Sequence, residues 1–279
     1  MNKNNIGKIL LKAIKCIILV GIILFTIYPL IWMVSGSLKG TQEFYTNIWN
    51  LPETWKWVNY SDAWKRAGLA KKYINSIVIT AATLLIVIPV VGCAAYAIAR
   101  TNFRFKKAVY TYLLLGLCIP SGVLAIPIFS AALNFGLVDK LSGMILFGAA
   151  QCMAFGTFLL RSFFISLPKS LEEAAMIDGC TRFQSFLKVI LPLAKPGVMA
   201  LVVLDGITVW NEYLLANVLL RSDRNMTLPL GMKVFVDKYV TDYPQLFAGL
   251  VMVTIPMLIV YIFAQRSFIE GMTAGSVKQ

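Results

Sequence analysis

Two acids interrupt one of the apolar runs of this chain: Asp205 and Glu212, inside Val189–Ala216 together with Lys195. A lone carboxylate in hydrocarbon is costly, and is therefore a candidate for function. The two lie seven residues apart, about two helical turns, on a similar face of a fifth helix. Such a pair could serve a proton relay, line a polar translocation path or bond a neighbouring helix. Trp210, Asn211 and Tyr213 flank Glu212 and add an aromatic face and hydrogen bonds, chemistry that suits a sugar. A structural interfacial cluster is the other reading of the same residues.

A second group sits in a polar stretch, Leu167 to Pro192. Ser170 and Glu173 have the spacing of a capping box, so a helix is expected to start there. Leu171, Ala174 and Ala175 share one of its faces, and Gly179 suits the left-handed cap that ends it. Thr181 and Gln184 form a second box, launching a helix with Phe183, Phe186 and Leu187 as its apolar side, which Pro192 breaks. Glu173 and Asp178 can meet cations, and small Ala174 and Ala175 permit close approach. A compact helix pair of this kind looks built to fit into something.

Other chemistries are excluded by what the sequence lacks. With no histidine, imidazole proton transfer and histidine-ligated metals are absent, including the HExxH proteases. The cysteines Cys16, Cys93, Cys118, Cys152 and Cys180 show no paired spacing, so neither a disulfide framework nor a zinc site is read. No GxxxxGK[ST] loop occurs, so the chain has no phosphate cradle for hydrolysing ATP. No catalytic residue, metal or cofactor is assigned.

The elements that must position these residues are membrane helices. The 279 residues are 58% hydrophobic, with a mean hydropathy of +0.75, more apolar surface than a soluble core could bury. Six uncharged or nearly uncharged runs approach the length a bilayer requires: Cys16–Val34, Ile74–Ala99, Ala108–Leu133, Ser142–Leu160, Val189–Ala216 and Leu246–Ala264. The expected fold is all-α and polytopic, with the Leu167–Pro192 helix pair between the fourth and fifth spans. Pro120, Pro127, Gly116 and Gly122 are expected to kink the third span, and Pro89 with Gly92 the second.

The net charge of +13 comes from short basic patches between apolar runs, not from a basic face with interleaved aromatics; membrane topology rather than nucleic acid explains it. Lys3, Lys8, Lys12 and Lys15 precede the first span, which reads as an uncleaved anchor because a signal peptide's apolar region is shorter. Arg100, Arg104, Lys106 and Lys107 follow the second span. Six spans with both termini cytoplasmic follow: a 1–15 N-terminal segment, a 16–266 transmembrane region and a 267–279 tail. Residues near Lys106 and Thr181 are then inside, and Trp55, Asp139 and Asp237 outside. Lys65, Arg66, Lys71 and Lys72 sit in the external loop of about 36–73 and run against the rule. That loop also holds Trp49, Trp55, Trp57 and Trp64, an interfacial belt or a docking surface for an external partner.

The run Glu173-Ala174-Ala175-x-x-x-Gly179, nine residues, then Val189-x-Leu191-Pro192 resembles the EAA motif of ABC importer permeases, with Val189 in place of the usual isoleucine. Leu191-Pro192-x-x-x-Pro196, Trp210-Asn211-Glu212-Tyr213, Thr227-Leu228-Pro229-x-Gly231 and Gly271-x-x-Ala274-Gly275-x-Val277-Lys278 are similar to the sugar-permease, maltose-type branch. The resemblance implies a prokaryotic inner-membrane permease subunit. Its coupling insertion, about 167–188, would lie in a groove of a separate ATPase, with Glu173, Ala174, Ala175, Asp178, Gly179, Leu191 and Pro192 as the contact set. The implied partners are a second homologous permease, two ATP-binding subunits, an extracellular or periplasmic solute-binding protein and membrane lipid. The implied cargo is a sugar or oligosaccharide; the alternatives are glycerol phosphate or another polar solute, or an ATP-independent carrier.

Overall fold

The computed structural model describes residues 3–236 and 241–276, with side chains from residue 12 to 265 in those segments; Asp237, Val277 and Lys278 lie outside the described residues. The described residues are helical apart from turns and one isolated β-bridge between Val236 and Thr241. Two compact units divide the chain, one of residues 1–67 and 232–253, the other of 68–231 and 254–279.

In the first unit, α1 (Lys3–Ser37) runs through the first apolar segment with its side chains exposed, as Ile17, Leu24 and Phe25 show. Such a surface is stable only against lipid or another apolar chain. The following loop is a small fold of its own, holding α2 (Thr41–Thr46) and α3 (Val58–Arg66). The buried Lys39 ammonium donates to Asn47 O at 2.6 Å, and Asn59 Nδ2 donates to Ser37 O and Lys39 O at 2.8 Å each. Phe44 stacks on Tyr243 with ring centroids 5.3 Å apart, and Trp32 meets Phe247 edge-on at 5.1 Å. Trp49, Trp55, Trp57 and Trp64 remain exposed.

The second unit is built on three helices whose buried positions recur every four residues. α4 (Leu69–Arg100) buries Ile79, Thr83, Val87, Val91 and Ala95. α7 (Leu141–Ser166) buries Met144, Gly148, Cys152, Gly156, Leu160 and Phe164. α11 (Lys195–Trp210) buries Gly197, Leu201, Asp205 and Val209. Positions four apart form one ridge of a helix, so these residues are the seams along which the three pack. Small residues let the backbones approach: a Cβ on Gly156 would stand 2.8 Å from Leu201 Cδ1 and 3.1 Å from Val91 Cγ1.

Four of the described helices are long and apolar enough to cross a membrane, and two bent pairs raise the number to six if each pair is one span. The third expected span is such a pair. α5 (Lys106–Leu117) and α6 (Ala125–Asn134), joined through a 3-10 turn at Ser121–Leu124, meet at 95°. The break falls at Pro120, which cannot donate a helical hydrogen bond and restricts the residue before it. Pro89, by contrast, is carried within one unbroken α4.

Between α7 and α11 come α8 (Lys169–Ile177), α9 (Arg182–Ser185), a π-turn at Phe186–Ile190 and α10 (Leu191–Leu193). After α11 follow α12 (Leu214–Leu219), α13 (Leu228–Gly231) and α14 (Tyr243–Ser276). Helix thus continues into both expected terminal segments.

Candidate coupling and translocation sites

The helix pair between α7 and α11 forms with one change at its start. α8 begins at Lys169 behind Pro168, whose fixed φ favours helix initiation, and Ser170 lies inside the first turn rather than at the cap. The Ser170–Glu173 box therefore does not form. The far end is as expected: Gly179 has φ +86°, Gly179 N donates to Met176 O at 3.1 Å and Cys180 N to Ala175 O at 3.0 Å. This is the Schellman pattern, which satisfies the last carbonyls of a helix. The second box also forms, Gln184 N donating to Thr181 Oγ1 at 3.2 Å and Thr181 N to Gln184 Oε1 at 2.9 Å.

Pro192 does not break the helix it was expected to end. Leu191 N reaches back to Phe186 O in the wider π-turn, which takes up the missing proline amide. The chain then turns at Ala194, and the arms Arg182–Leu193 and Lys195–Trp210 meet at 74°.

The faces of α8 differ from the expected ones. Glu172 and Ala175 are buried, whereas Leu171, Glu173, Ala174, Ile177, Asp178 and Gly179 are exposed. Glu172 accepts a hydrogen bond from Tyr96 Oη, and its other oxygen lies 3.9 Å from Arg100 Nε. Arg100 Nη2 also donates to Leu167 O at 2.6 Å, and Phe186 packs on the Tyr96 ring with centroids 4.6 Å apart. Both arms of the insertion are thus fastened to the last turns of α4. Sequence reasoning missed Glu172, Tyr96 and Arg100; the available signal was the Glu172-Glu173 doublet, one helical step out of phase, opposite the basic end of the second span.

The opposite surface is open and apolar at its centre. Ile177 is 86% exposed and Phe183 61%, with Leu187 also exposed and Glu173 and Asp178 beside them. Gly179 leaves the surface empty at its own position, since nothing lies within 4 Å of where a Cβ would stand. Leu191 is half-buried and Pro192 exposed.

The structure separates the five residues read as a translocation path. Asp205 is 2% exposed in the α11 seam, and its Oδ2 has no hydrogen-bond partner. Trp210 is buried at the end of α11, its ring 6.4 Å from that of Tyr73, and lines an apolar groove with Thr80, Gly206 and Met257. Asn211 and Tyr213 are exposed. Glu212 does not share a helix face with Asp205, because α11 stops at Trp210. Its carboxylate instead accepts Leu215 N at 2.8 Å, capping the first turn of α12.

Glu212 also lines a cavity of about 330 Å³ with Ser121 and Leu124 from the bend before α6, and Phe147 and Gln151 from α7. A carboxylate, an amide and a hydroxyl beside a flat ring can bond hydroxyls and stack on the apolar face of a ring-shaped solute. Ser121, Phe147 and Gln151 were not legible as a group, because only the 95° bend brings the first to the other two.

Residues 90–269 match the family described as binding-protein-dependent transport system inner membrane component. Over 255 residues the chain is 35% identical to the diacetylchitobiose uptake system permease protein NgcG of Streptomyces coelicolor, covering 91% of this chain and 83% of that one. Over 279 residues it is 31% identical to the probable starch degradation products transport system permease protein AmyC of Thermoanaerobacterium thermosulfurigenes, covering 100% of each. Among solved structures it is similar to a chain of a bacterial ABC transporter involved in the import of the acidic polysaccharide alginate. That match has a TM-score of 0.78 at 27% identity and covers 94% of this chain and 98% of the other.

Proposed function

Because the chain belongs to the family of binding-protein-dependent transport system inner membrane components, as an ABC transporter permease of the sugar branch, we propose that it forms half of a translocation path for a sugar or oligosaccharide and is driven by a separate ATPase through α8 and α9. The observation that carries this is the two-sided insertion. One face is sewn to α4 by Glu172, Tyr96, Arg100 and Phe186, and the other presents Glu173, Ala174, Ile177, Asp178 and Gly179 to a partner. An exposed apolar patch rimmed by acids on a rigid support is the form of a docking surface.

The relatives named for diacetylchitobiose and for starch degradation products support an oligosaccharide cargo. Glu212, Gln151, Ser121 and Phe147 are the residues of this chain best placed to meet it. The insertion and the loop carrying Arg104, Lys106 and Lys107 lie on the cytoplasmic side in this reading, and Trp55 and Asp139 outside. The external cations that oppose this topology are partly neutralised: Lys72 Nζ is 2.7 Å from Asp223 Oδ1, and Arg66 Nη1 is 3.3 Å from Asp242 Oδ2. A second homologous permease, two ATPase subunits and a solute-binding protein complete the assembly.

The test is purification of the tagged chain from its native membrane in mild detergent, followed by reconstituted uptake with the co-purifying chains. Recovery of an ATPase and a second permease, with uptake dependent on ATP and on the binding protein, is expected. Uptake by this polypeptide alone refutes the reading.

A further inference from the structure

The end of the molecule that carries the insertion also holds a cavity that the transport reading does not use. It is a hollow of about 340 Å³ between the loop after α4, the start of α5 and the last turns of α7, lined by Arg104, Lys106, Lys107, Tyr110 and Arg161 with apolar neighbours. Four of these lining residues are cations and none is an acid. Among the described residues, the ion pairs involve none of the four.

Two of the cations, Arg161 and Lys106, are held in place. Arg161 is the one charged side chain of α7, and its guanidinium carbon lies 4.1 Å from the centre of the Tyr110 ring. Stacking fixes the plane of the fork, yet its buried Nε has no hydrogen-bond partner. Lys106 is tethered by a 2.9 Å bond from its ammonium to Thr101 O. α5 starts at Lys106 with no side chain capping it, so its first amides and the positive end of its dipole add to the same field.

A cluster of this kind fits an anion with several acceptor oxygens, and its surroundings say where that anion comes from. Arg161 lies within a helix long and apolar enough to cross a membrane, near its end at Ser166. The hollow is also walled by Ile98 and Phe103, apolar surface directly beside the cations. A soluble phosphate gains nothing from that apolar wall, whereas the glycerol and acyl part of a lipid does. Basic pockets between membrane helices accept anionic headgroups on this principle. We propose that the cavity binds the phosphate of an anionic phospholipid in the leaflet on the insertion side, headgroup against Arg104, Lys106, Lys107 and Arg161.

The complex that co-purifies with the full chain tests this when loaded with phosphatidylglycerol or phosphatidylcholine, the lipid retained after detergent washing being read by native mass spectrometry. The expected result is preferential retention of phosphatidylglycerol. In Arg104→Gln/Arg161→Gln its affinity should fall about 25-fold, about fivefold per cation removed. Lys12→Gln/Lys15→Gln removes the same charge elsewhere and should change it by less than about twofold. Arg161→Lys, which keeps the charge and loses the stacked fork, should give an intermediate loss and covers the case in which the double variant fails to assemble. Equal weakening by both pairs, or equal retention of the two lipids, overturns the proposal in favour of diffuse charge attraction. Displacement of the lipid by inorganic phosphate at about 10 mM overturns the lipid assignment in favour of a soluble anion.

Discussion

Replacing Gly179 separates backbone strain from surface fit, because the structure fixes the first and leaves the second open. Gly179 sits at φ +86° with nothing within 4 Å of an added Cβ, so alanine there meets no clash and pays only for the left-handed backbone. That cost is about 1–2 kcal/mol, and alanine recovers about 0.4–1 kcal/mol by restricting the unfolded chain. The net effect is about 1 kcal/mol, near a fivefold change in local opening. Asparagine tolerates this backbone better and should cost less. Arginine carries the same strain and adds a long cationic side chain to an exposed tip beside Ile177 and Asp178. If that tip seats in a groove whose cations meet Glu173 and Asp178, the added charge costs several kcal/mol, more than a hundredfold in affinity. The assay is recovery of the ATPase with the tagged permease, alongside solute uptake, for Gly179→Ala, Gly179→Asn and Gly179→Arg. Expected are near-normal recovery for the first two and loss for the third, with membrane insertion unchanged. Full recovery and uptake in Gly179→Arg refutes docking through this tip. Equal failure of Ala and Arg with rescue by Asn would show that strain alone decides.

Glu172→Ala should loosen the insertion, raising protease cleavage between 167 and 182, because Arg100 then loses the carboxylate beside it; Glu173→Ala should leave cleavage unchanged and lower ATPase recovery. Asp139 accepts Arg221 N, Ser222 N and Ser222 Oγ at 3.0, 3.0 and 2.9 Å, and these bonds, those from Ser222 first, hold its carboxyl well below the usual carboxylate range. A depressed folded value stabilises at every pH above the ordinary value of about 4 and is lost only as pH falls below it. Thermal stability should therefore show no pH dependence from this latch between about pH 8 and 5, and Asp139→Ala should lower that plateau and shrink the drop in acid. In a background lacking the native cysteines, an impermeant thiol reagent applied from outside should label cysteine at positions 55 and 139 and spare 106 and 181; the reverse pattern inverts the topology.

The sequence announced the helices, the Gly179 cap and the Thr181–Gln184 box because each rests on local chemistry. It did not announce which side of a helix is inside. In a soluble protein the polar face marks the outside, but a membrane helix is apolar all round: Leu85 and Phe25 are exposed while Val87 and Val91 are buried. The usable signal was size, with Gly148 and Gly156 marking the seam of α7. A count of seven residues along a continuous helix puts Asp205 and Glu212 on one face, and the end of α11 at Trp210 removes that premise. The third span bends where Pro120 was expected to kink it, but its composition is that of a membrane helix throughout and gives no sign that the bend reaches 95°. Ser170 was displaced from its cap because Pro168 starts the helix first.

The phase of α8 matters most for the proposed docking. Successive residues of a helix point about 100° apart, so Glu172 and Glu173, identical in chemistry, cannot serve the same surface. Glu172 turns inward to Tyr96 and Arg100, and Glu173 stays at the surface with Ala174 and Asp178. The bonds from α4 reach both arms of the insertion, through Leu167, Glu172 and Phe186. A rigid displacement of α8 and α9 that keeps those bonds must carry the last turns of α4 with it. α4 in turn packs against α7 and α11 along seams filled by Val91, Gly156 and Leu201, where a Cβ on Gly156 already finds no room. Close-packed seams of this kind transmit displacement instead of absorbing it. A force applied at Glu173 therefore has a direct path to the helices that surround Asp205, and Glu172 is the link that α8 itself supplies.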